Sequence, residues 1–387
     1  MELSEALQAQ QQVVRLQALF EASRQMHSTI QLDEVLRIVL QIVVRELELR
    51  GAFFTAFERT YGDVPAALKD LLGSSEITSQ MAGDSWLRFP LWDKQKTRFT
   101  DLMVLLPAGR ALDLDETDFL ETLAMQASVA IENARFHERT VQWQRIESDL
   151  ESARLVQQSL LPQEMPQVPG YALAARSMTC YEVGGDYLDI VSMPSGDIFI
   201  VIGDVAGKGL TSALVGMSFR SAFRAMLHSS LSLAEIATEM NLLHYNEGAE
   251  SRRRYVTAFF LRLSPEADTI EVVNAGHNPA FLIAEGRIAH KIAASGTPIG
   301  MLPFSSYLSE KYVLGASARL LVYTDGMTEV FRAEEEFGEE RLLEAFCDCA
   351  ALTPEATLAT LWSTLETFSE GQERCDDMTA LVLSRTS

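Results

Sequence analysis

Residues 199–204 read Phe199-Ile-Val-Ile-Gly-Asp204 and run on into Val205, Ala206, Gly207, Lys208 and Gly209. An apolar run of this length bounded by glycine predicts a buried strand that delivers an aspartate to its end. Three other segments share the design: Val183-Gly-Gly-Asp186, Leu320-Leu-Val-Tyr-Thr-Asp325-Gly326 and Asp376-Asp377-Met-Thr. A carboxylate at a strand mouth loses hydration unless something positive is brought to it. The flanking glycines let backbone approach closely and expose carbonyl oxygens. An all-oxygen donor set without histidine or cysteine suits Mg²⁺ or Mn²⁺ better than zinc.

Outward from these segments, residues 163–387 alternate short strands with paired helices. Strands are expected at 171–177, 187–193, 197–205, 256–264, 269–274, 279–284, 309–313, 319–324 and 378–384, and helices near 209–228, 232–246, 338–350 and 354–369. Consecutive strands with helices in pairs predict an α+β domain of antiparallel sheets flanked by helices. Upstream, residues 1–27 read as a helix with Val13, Leu16 and Phe20 on its apolar face. Residues 32–49 read as a second helix, GAFFTAF as a strand, 61–85 as loop, and LRFPL and FTDLMVLLP as two more strands. From about Glu116 a long helix carries the seam Leu120, Leu123, Ala127, Ala130, Ala134, His137, Val141, which slips in phase before Trp143, Ile146, Leu150, Ala153, Gln157, Leu160. It stops at Pro162. Such a seam packs either on its own domain or against a second chain; Leu123, Ala127, Ile146 and Leu150 are expected to pair in a parallel homodimer.

The 387 residues are 47% hydrophobic and 22% charged, a globular composition with room for two or three domains. Basic residues number 32 against 54 acidic ones, a formal charge of −22 that argues against nucleic acid and anionic membrane surfaces as partners. No apolar run reaches the ~18 residues of a membrane span. The cysteines, Cys180, Cys347, Cys349 and Cys375, are too few and too scattered for a disulfide framework, so a reducing cytoplasm is the expected compartment.

Taken in order, VGGDYLD (183–189), GDVAGKG (203–209), NAGHNP (274–279), GTPIG (296–300), YTDGMTE (323–329) and DDMT (376–379) resemble the metal-dependent PPM Ser/Thr protein phosphatases, in the bacterial branch typified by SpoIIE and RsbU. The run SARLVQQSLLP (152–162) is similar to the linker that precedes that catalytic domain. The resemblance implies a two-sheet antiparallel β-sandwich flanked by helices, two Mn²⁺ or Mg²⁺ ions, and hydrolysis of a phosphoserine or phosphothreonine protein. It implies that Asp204 bridges both metals and that the Val205 carbonyl adds a ligand. It makes Asp325 and Asp376 ligands of the second metal, with Asp377 assisting, and Asp186 a ligand directly or through water. Eukaryotic members carry a histidine where Ala206 stands, so the acid for the leaving group has no assignment. His277 reads as a turn residue.

The stretch DETDFLETLAMQASVAIENARFHER (115–139) resembles the closing helix of a GAF sensory domain. The expected organisation is an N-terminal helix over 1–19, an α/β GAF-like sensor over 20–137, a coiled-coil linker over 138–162 and the phosphatase domain over 163–387. The expected function is dephosphorylation of a phosphoprotein, such as a small anti-sigma-factor antagonist, under control of a sensor whose ligand or protein signal is unknown. The alternative is a weakly catalytic scaffold that binds the same phosphoprotein for partner switching.

Overall fold

The computed structural model describes residues 17–65, 86–162, 164–372 and 374–386. The chain forms two compact units, one up to Glu147 and one from Ser148.

In the first unit, helix α1 (Leu32–Glu46) buries Val35, Leu36, Val39, Leu40 and Val43, spaced to give one apolar face. The strands β1 (Gly51–Phe54), β2 (Thr60–Gly62), β3 (Trp86–Trp92) and β4 (Arg98–Leu105) form an antiparallel sheet in the order β2-β1-β4-β3. Strand β2 falls in what reads as loop from residue 61; residues 66–85 lie outside the described residues. The apolar face expected around Phe20 is also different: Phe20 is 72% exposed, whereas Ala22 and Met26 are buried. Of the helix expected over 1–19, residues 1–16 lie outside the described residues.

Helix α2 (Leu114–Leu160) starts on a reciprocal cap: Asp113 accepts from the Glu116 N–H at 2.7 Å, and Glu116 accepts from the Asp113 N–H at 3.1 Å. Its first turns correct the expected dimer seam. Leu120, Leu123, Ala127, Ala130 and Ala134 are buried in the core of their own unit, so Leu123 and Ala127 have no surface left for a second chain. His137 is exposed, and so are Trp143 and Ile146 further along.

The second unit has four layers. One sheet runs β11-β10-β13-β16-β5 and the other β12-β9-β8-β7-β6, every pairing between neighbours antiparallel. The strands are β5 (Tyr171–Met178), β6 (Tyr187–Ser192), β7 (Ile198–Val205), β8 (Val256–Ser264), β9 (Thr269–Ala275), β10 (Ala280–Ala284), β11 (Arg287–Ile292), β12 (Glu310–Val313), β13 (Arg319–Tyr323) and β16 (Met378–Arg385), with a two-residue ribbon of β14 (Phe331–Arg332) and β15 (Glu335–Glu336). Helices α3 (Leu210–Met226), α4 (Leu233–Asn246) and the short α5 (Ala249–Arg253) precede β8, while α6 (Gly338–Asp348) and α7 (Pro354–Ser369) precede β16.

Period-two alternation explains the layers. Ile198, Ile200 and Ile202 of β7 face the other sheet with Leu320, Val322, Leu381 and Leu383, while Val201 and Val205 pack under Phe219 and Phe223 of α3. On the far side, Phe281, Tyr323 and Val382 pack under Phe346 of α6 and Leu361 and Trp362 of α7. No disulfide forms among the described residues, and none of their helices is long and apolar enough to cross a membrane.

Candidate metal centre

The alternation that builds the sandwich also aims its acidic residues. Asp204 continues the inward row Ile198, Ile200, Ile202, and Thr324 and Thr379 continue the inward rows of β13 and β16 at the same end. There the Thr324 hydroxyl donates to Asp186 at 2.8 Å, and the Thr379 N–H donates to the Thr324 oxygen at 2.9 Å. Asp325 opens a 3₁₀ turn directly after β13, and the Thr328 hydroxyl donates to its carbonyl at 2.8 Å. The turn lies against the Asp376–Asp377 segment so closely that a Cβ on Gly326 would stand 2.0 Å from the Asp377 carbonyl oxygen.

The structure thus brings Asp186, Asp204, Asp325, Asp376 and Asp377 to one end of the sandwich. Burial, with Asp204 and Asp377 nearby, pushes the Asp186 carboxyl well above the usual range. Burial pushes Asp204 up to about 7, reinforced by Asp325, Asp376 and Asp377 and by Glu329, whose own carboxyl is also raised. Asp325 is raised by burial and by Asp376. Crowded carboxylates in low dielectric resist ionising until a cation joins them, so the donor set fits divalent metal. Among the described residues no three His, Cys, Asp or Glu side chains close on a single point.

Asp377 also braces the backbone around the site. One of its oxygens accepts the Cys180 N–H at 2.7 Å and the other accepts the Gly185 N–H at 2.6 Å, which ties down the loop carrying Asp186. The Val205 carbonyl faces Gly185, whose Cβ would stand 3.1 Å from it. His277 is buried, with Nδ1 2.9 Å from the Thr257 hydroxyl and its N–H donated to Asn274 at 2.8 Å; burial lowers its pKa to about 4, so the ring is neutral.

Three participants escape a sequence reading. The Lys208 ammonium sits 2.8 Å from Asp376 and also donates to the Cys375 carbonyl. Gln157 of α2 pairs with Gly184. A cavity of about 240 Å³ lies beside Asp376, walled by Phe331, Trp362 and Leu365 and rimmed by Glu329, Glu366 and Arg374. Only the lysine carries a signal in sequence, its glycine neighbours in GDVAGKG.

Residues 194–386, from the hairpin before β7 to the end of β16, match the family described as Stage II sporulation protein E (SpoIIE). These residues belong to the SpoIIE family. The chain is 30% identical over 187 residues to the phosphoserine phosphatase RsbP of Bacillus subtilis, covering 47% of this chain and 45% of RsbP. It is 25% identical over 248 residues to the phosphoserine phosphatase RsbU of the same organism, covering 62% of this chain and 71% of RsbU. Protein IcfG of Synechocystis sp. is 25% identical over 263 residues, 61% of this chain and 41% of IcfG. The chain therefore spans less than half the length of IcfG and of RsbP. The SiaA-PP2C domain of Pseudomonas aeruginosa superposes with a TM-score of 0.56 at 19% identity, covering 64% of this chain and 99% of that domain. The SpoIIE-type unit thus has the PP2C fold.

Proposed function

We propose that the chain is a metal-dependent serine/threonine protein phosphatase acting on a phosphoprotein in a partner-switching system. The observation that carries this reading is the convergence of Asp186, Asp204, Asp325 and Asp376 on one end of the sandwich, where burial and neighbouring carboxylates raise Asp186, Asp204 and Asp325. In this reading Asp204 and the Val205 carbonyl hold two Mn²⁺ or Mg²⁺ ions, with Asp325, Asp376 and Asp186 completing the set and Asp377 holding the loop. When bound, the ions supply Lewis acidity for in-line hydrolysis of a phosphoryl group. The protein's part is to fix the carboxylates on rigid strand ends and to keep His277 neutral and out of proton transfer. The cavity beside Asp376 offers an apolar wall and a mixed-charge rim to the peptide flanking the phosphorylated residue.

The antiparallel sheet of the first unit, with α1 and the start of α2 in one core, supports a GAF-like sensor. The exposed Trp143 and Ile146 support a parallel homodimer formed by the middle of α2 alone.

The test is phosphate release from a phosphoserine peptide with Mn²⁺ and with EDTA. Release that needs Mn²⁺, and falls more than tenfold (about 1.4 kcal/mol of barrier) in Asp204→Asn, is expected. Release untouched by EDTA ends the metal reading. Binding of a phosphoprotein without release favours the scaffold.

A further inference from the structure

A positive side chain stands among the carboxylates. The Lys208 ammonium lies 2.8 Å from Asp376 Oδ2 and also donates to the Cys375 carbonyl oxygen. Carboxylate and main-chain carbonyl oxygens are the donors that a hard divalent cation takes from a protein, and here an ammonium holds one of each. Lys208 is flanked by Gly207 and Gly209, whose φ angles are +100° and +76°, conformations that glycine adopts without strain. The lysine thus rides on a short turn between the end of β7, which carries Asp204, and the start of α3.

Its charge reaches further than its contact. Burial and neighbouring acids raise the Asp325 and Glu329 carboxyls, and the Lys208 ammonium offsets part of that rise in both. The contact can also open. The Lys208 side chain is 46% exposed and that of Asp376 26% exposed, and an ion pair that water reaches is weakly held. A divalent ion brings twice the charge to the same oxygen, so it wins the carboxylate, but the ammonium it turns out stays tethered nearby and repels it.

We infer that Lys208 is a tethered competitor for Asp376: its ammonium and a metal ion take the same carboxylate in turn, and the lysine swings to solvent when the ion binds. The inference rests on the reading of Asp376 as a metal ligand and does not need the chain to turn over a substrate. A lysine in this role lowers the metal affinity of the site, whereas a lysine that merely braced the Asp376 segment would raise it.

The experiment compares the full chain with Lys208→Met and Lys208→Gln, which remove the charge, and with Lys208→Arg, which keeps it within reach of Asp376. Mn²⁺ binding is measured by titration calorimetry and by the electron paramagnetic resonance of free Mn²⁺. Both uncharged variants are expected to bind Mn²⁺ about fivefold more tightly, the upper range for an ion pair that solvent reaches, and Lys208→Arg is expected to bind like the parent. A misfolded fraction would only weaken binding, so the gain cannot come from loss of fold. It should persist at about 0.5 M salt, where charges not in contact are screened within a few ångströms. Displacement has its own readout: acetylation of lysine amines, located by mass spectrometry, should modify Lys208 faster with Mg²⁺ than with EDTA, while the exposed Lys311 of β12 is modified equally in both. Equal or weaker Mn²⁺ affinity in both uncharged variants, a gain that Lys208→Arg shares, or Lys208 labelling that Mg²⁺ leaves unchanged overturns the inference. A chain that shows the expected binding pattern but releases no phosphate from a phosphoserine peptide defeats the phosphatase reading alone. A chain that takes up no Mn²⁺ in any of these forms overturns the metal centre and the inference together.

Discussion

Arg224 of α3 grips Asp189 of β6 through two hydrogen bonds, Nε at 2.6 Å and Nη2 at 2.7 Å, and the Asp189 side chain is fully enclosed. The Tyr187 hydroxyl donates to the same carboxylate at 2.8 Å, and Arg220 stands 3.8 Å away. The pair pins the C-terminal half of α3 to the strand that begins beside Asp186. Breaking a buried pair from one side costs about 3–5 kcal/mol. Arg224 is itself 43% exposed and Arg220 partly replaces it, so Arg224→Ala is expected to cost about 2 kcal/mol. Urea unfolding of the metal-free protein measures this, and a change under about 0.5 kcal/mol would mean that solvent already carries the charge.

Nearer the middle of α3, Gly216 has room for a methyl but not for much more. A Cβ there would lie 3.7 Å from a Val205 methyl and 3.8 Å from the Gly185 carbonyl, ordinary contact distances. Gly216→Ala is expected to raise stability by up to about 1 kcal/mol, the usual helix-interior gain. Gly216→Leu should press on Val205 and Gly185 and weaken Mn²⁺ binding while the domain stays folded. Parental Mn²⁺ affinity in the leucine variant would show that α3 is not mechanically tied to the carboxylates.

His277 sets a pH dependence of known sign. Its folded-state pKa is about 4, against an ordinary 6.5, so below pH 6.5 the unfolded chain takes up a proton that the folded chain refuses. Its contribution is whole above pH 6.5 and is lost as pH falls towards 4. The loss between pH 6.5 and 5 should approach 2 kcal/mol. Parallel urea titrations of the parent and His277→Asn read it as a difference, with the parent losing more stability than the variant over that interval. Equal losses would place the imidazole in contact with water.

The proposed homodimer has a narrow basis on α2. Trp143 and Ile146 are 70% and 50% exposed, and pairing would cover them. Light scattering on the full chain is expected to give a dimer at micromolar concentration. The double change Trp143→Glu and Ile146→Glu should give a folded monomer, because like charges would then face each other across the seam. A monomeric parent removes the proposal.

Much of the second unit was legible because burial imposes a period of two. The β7 run Phe199–Val205 and the β13 run Arg319–Tyr323 are apolar enough to read as strands, and their aspartates fall where the run ends. Strand β11 escaped the reading because it is an edge strand: only Ile292 is buried, and Arg287, His290 and Lys291 look like loop. The seam of α2 misled for a different reason. Residues three and four apart form one stripe whether it faces a core or a partner, and Leu120–Ala134 face the core. Gln157 and Arg224 were invisible because a polar side chain reaching 27 or 35 residues away leaves no periodic trace.

The approach of Gly326 to the Asp377 carbonyl has a consequence for redesign. Two segments some 50 residues apart touch backbone to backbone there, leaving no gap in which a larger residue could be accommodated by small shifts. Laboratory evolution toward a new phosphopeptide will find this seam rigid, since any bulk added on one side must be answered by removal on the other, where only main chain stands. Accepted changes should gather instead on the rim of the neighbouring cavity, at Glu366 and Ser369 of α7, where side chains reach solvent and can be exchanged one at a time. Substrate preference and hydrolytic chemistry would then drift separately, although their residues lie side by side.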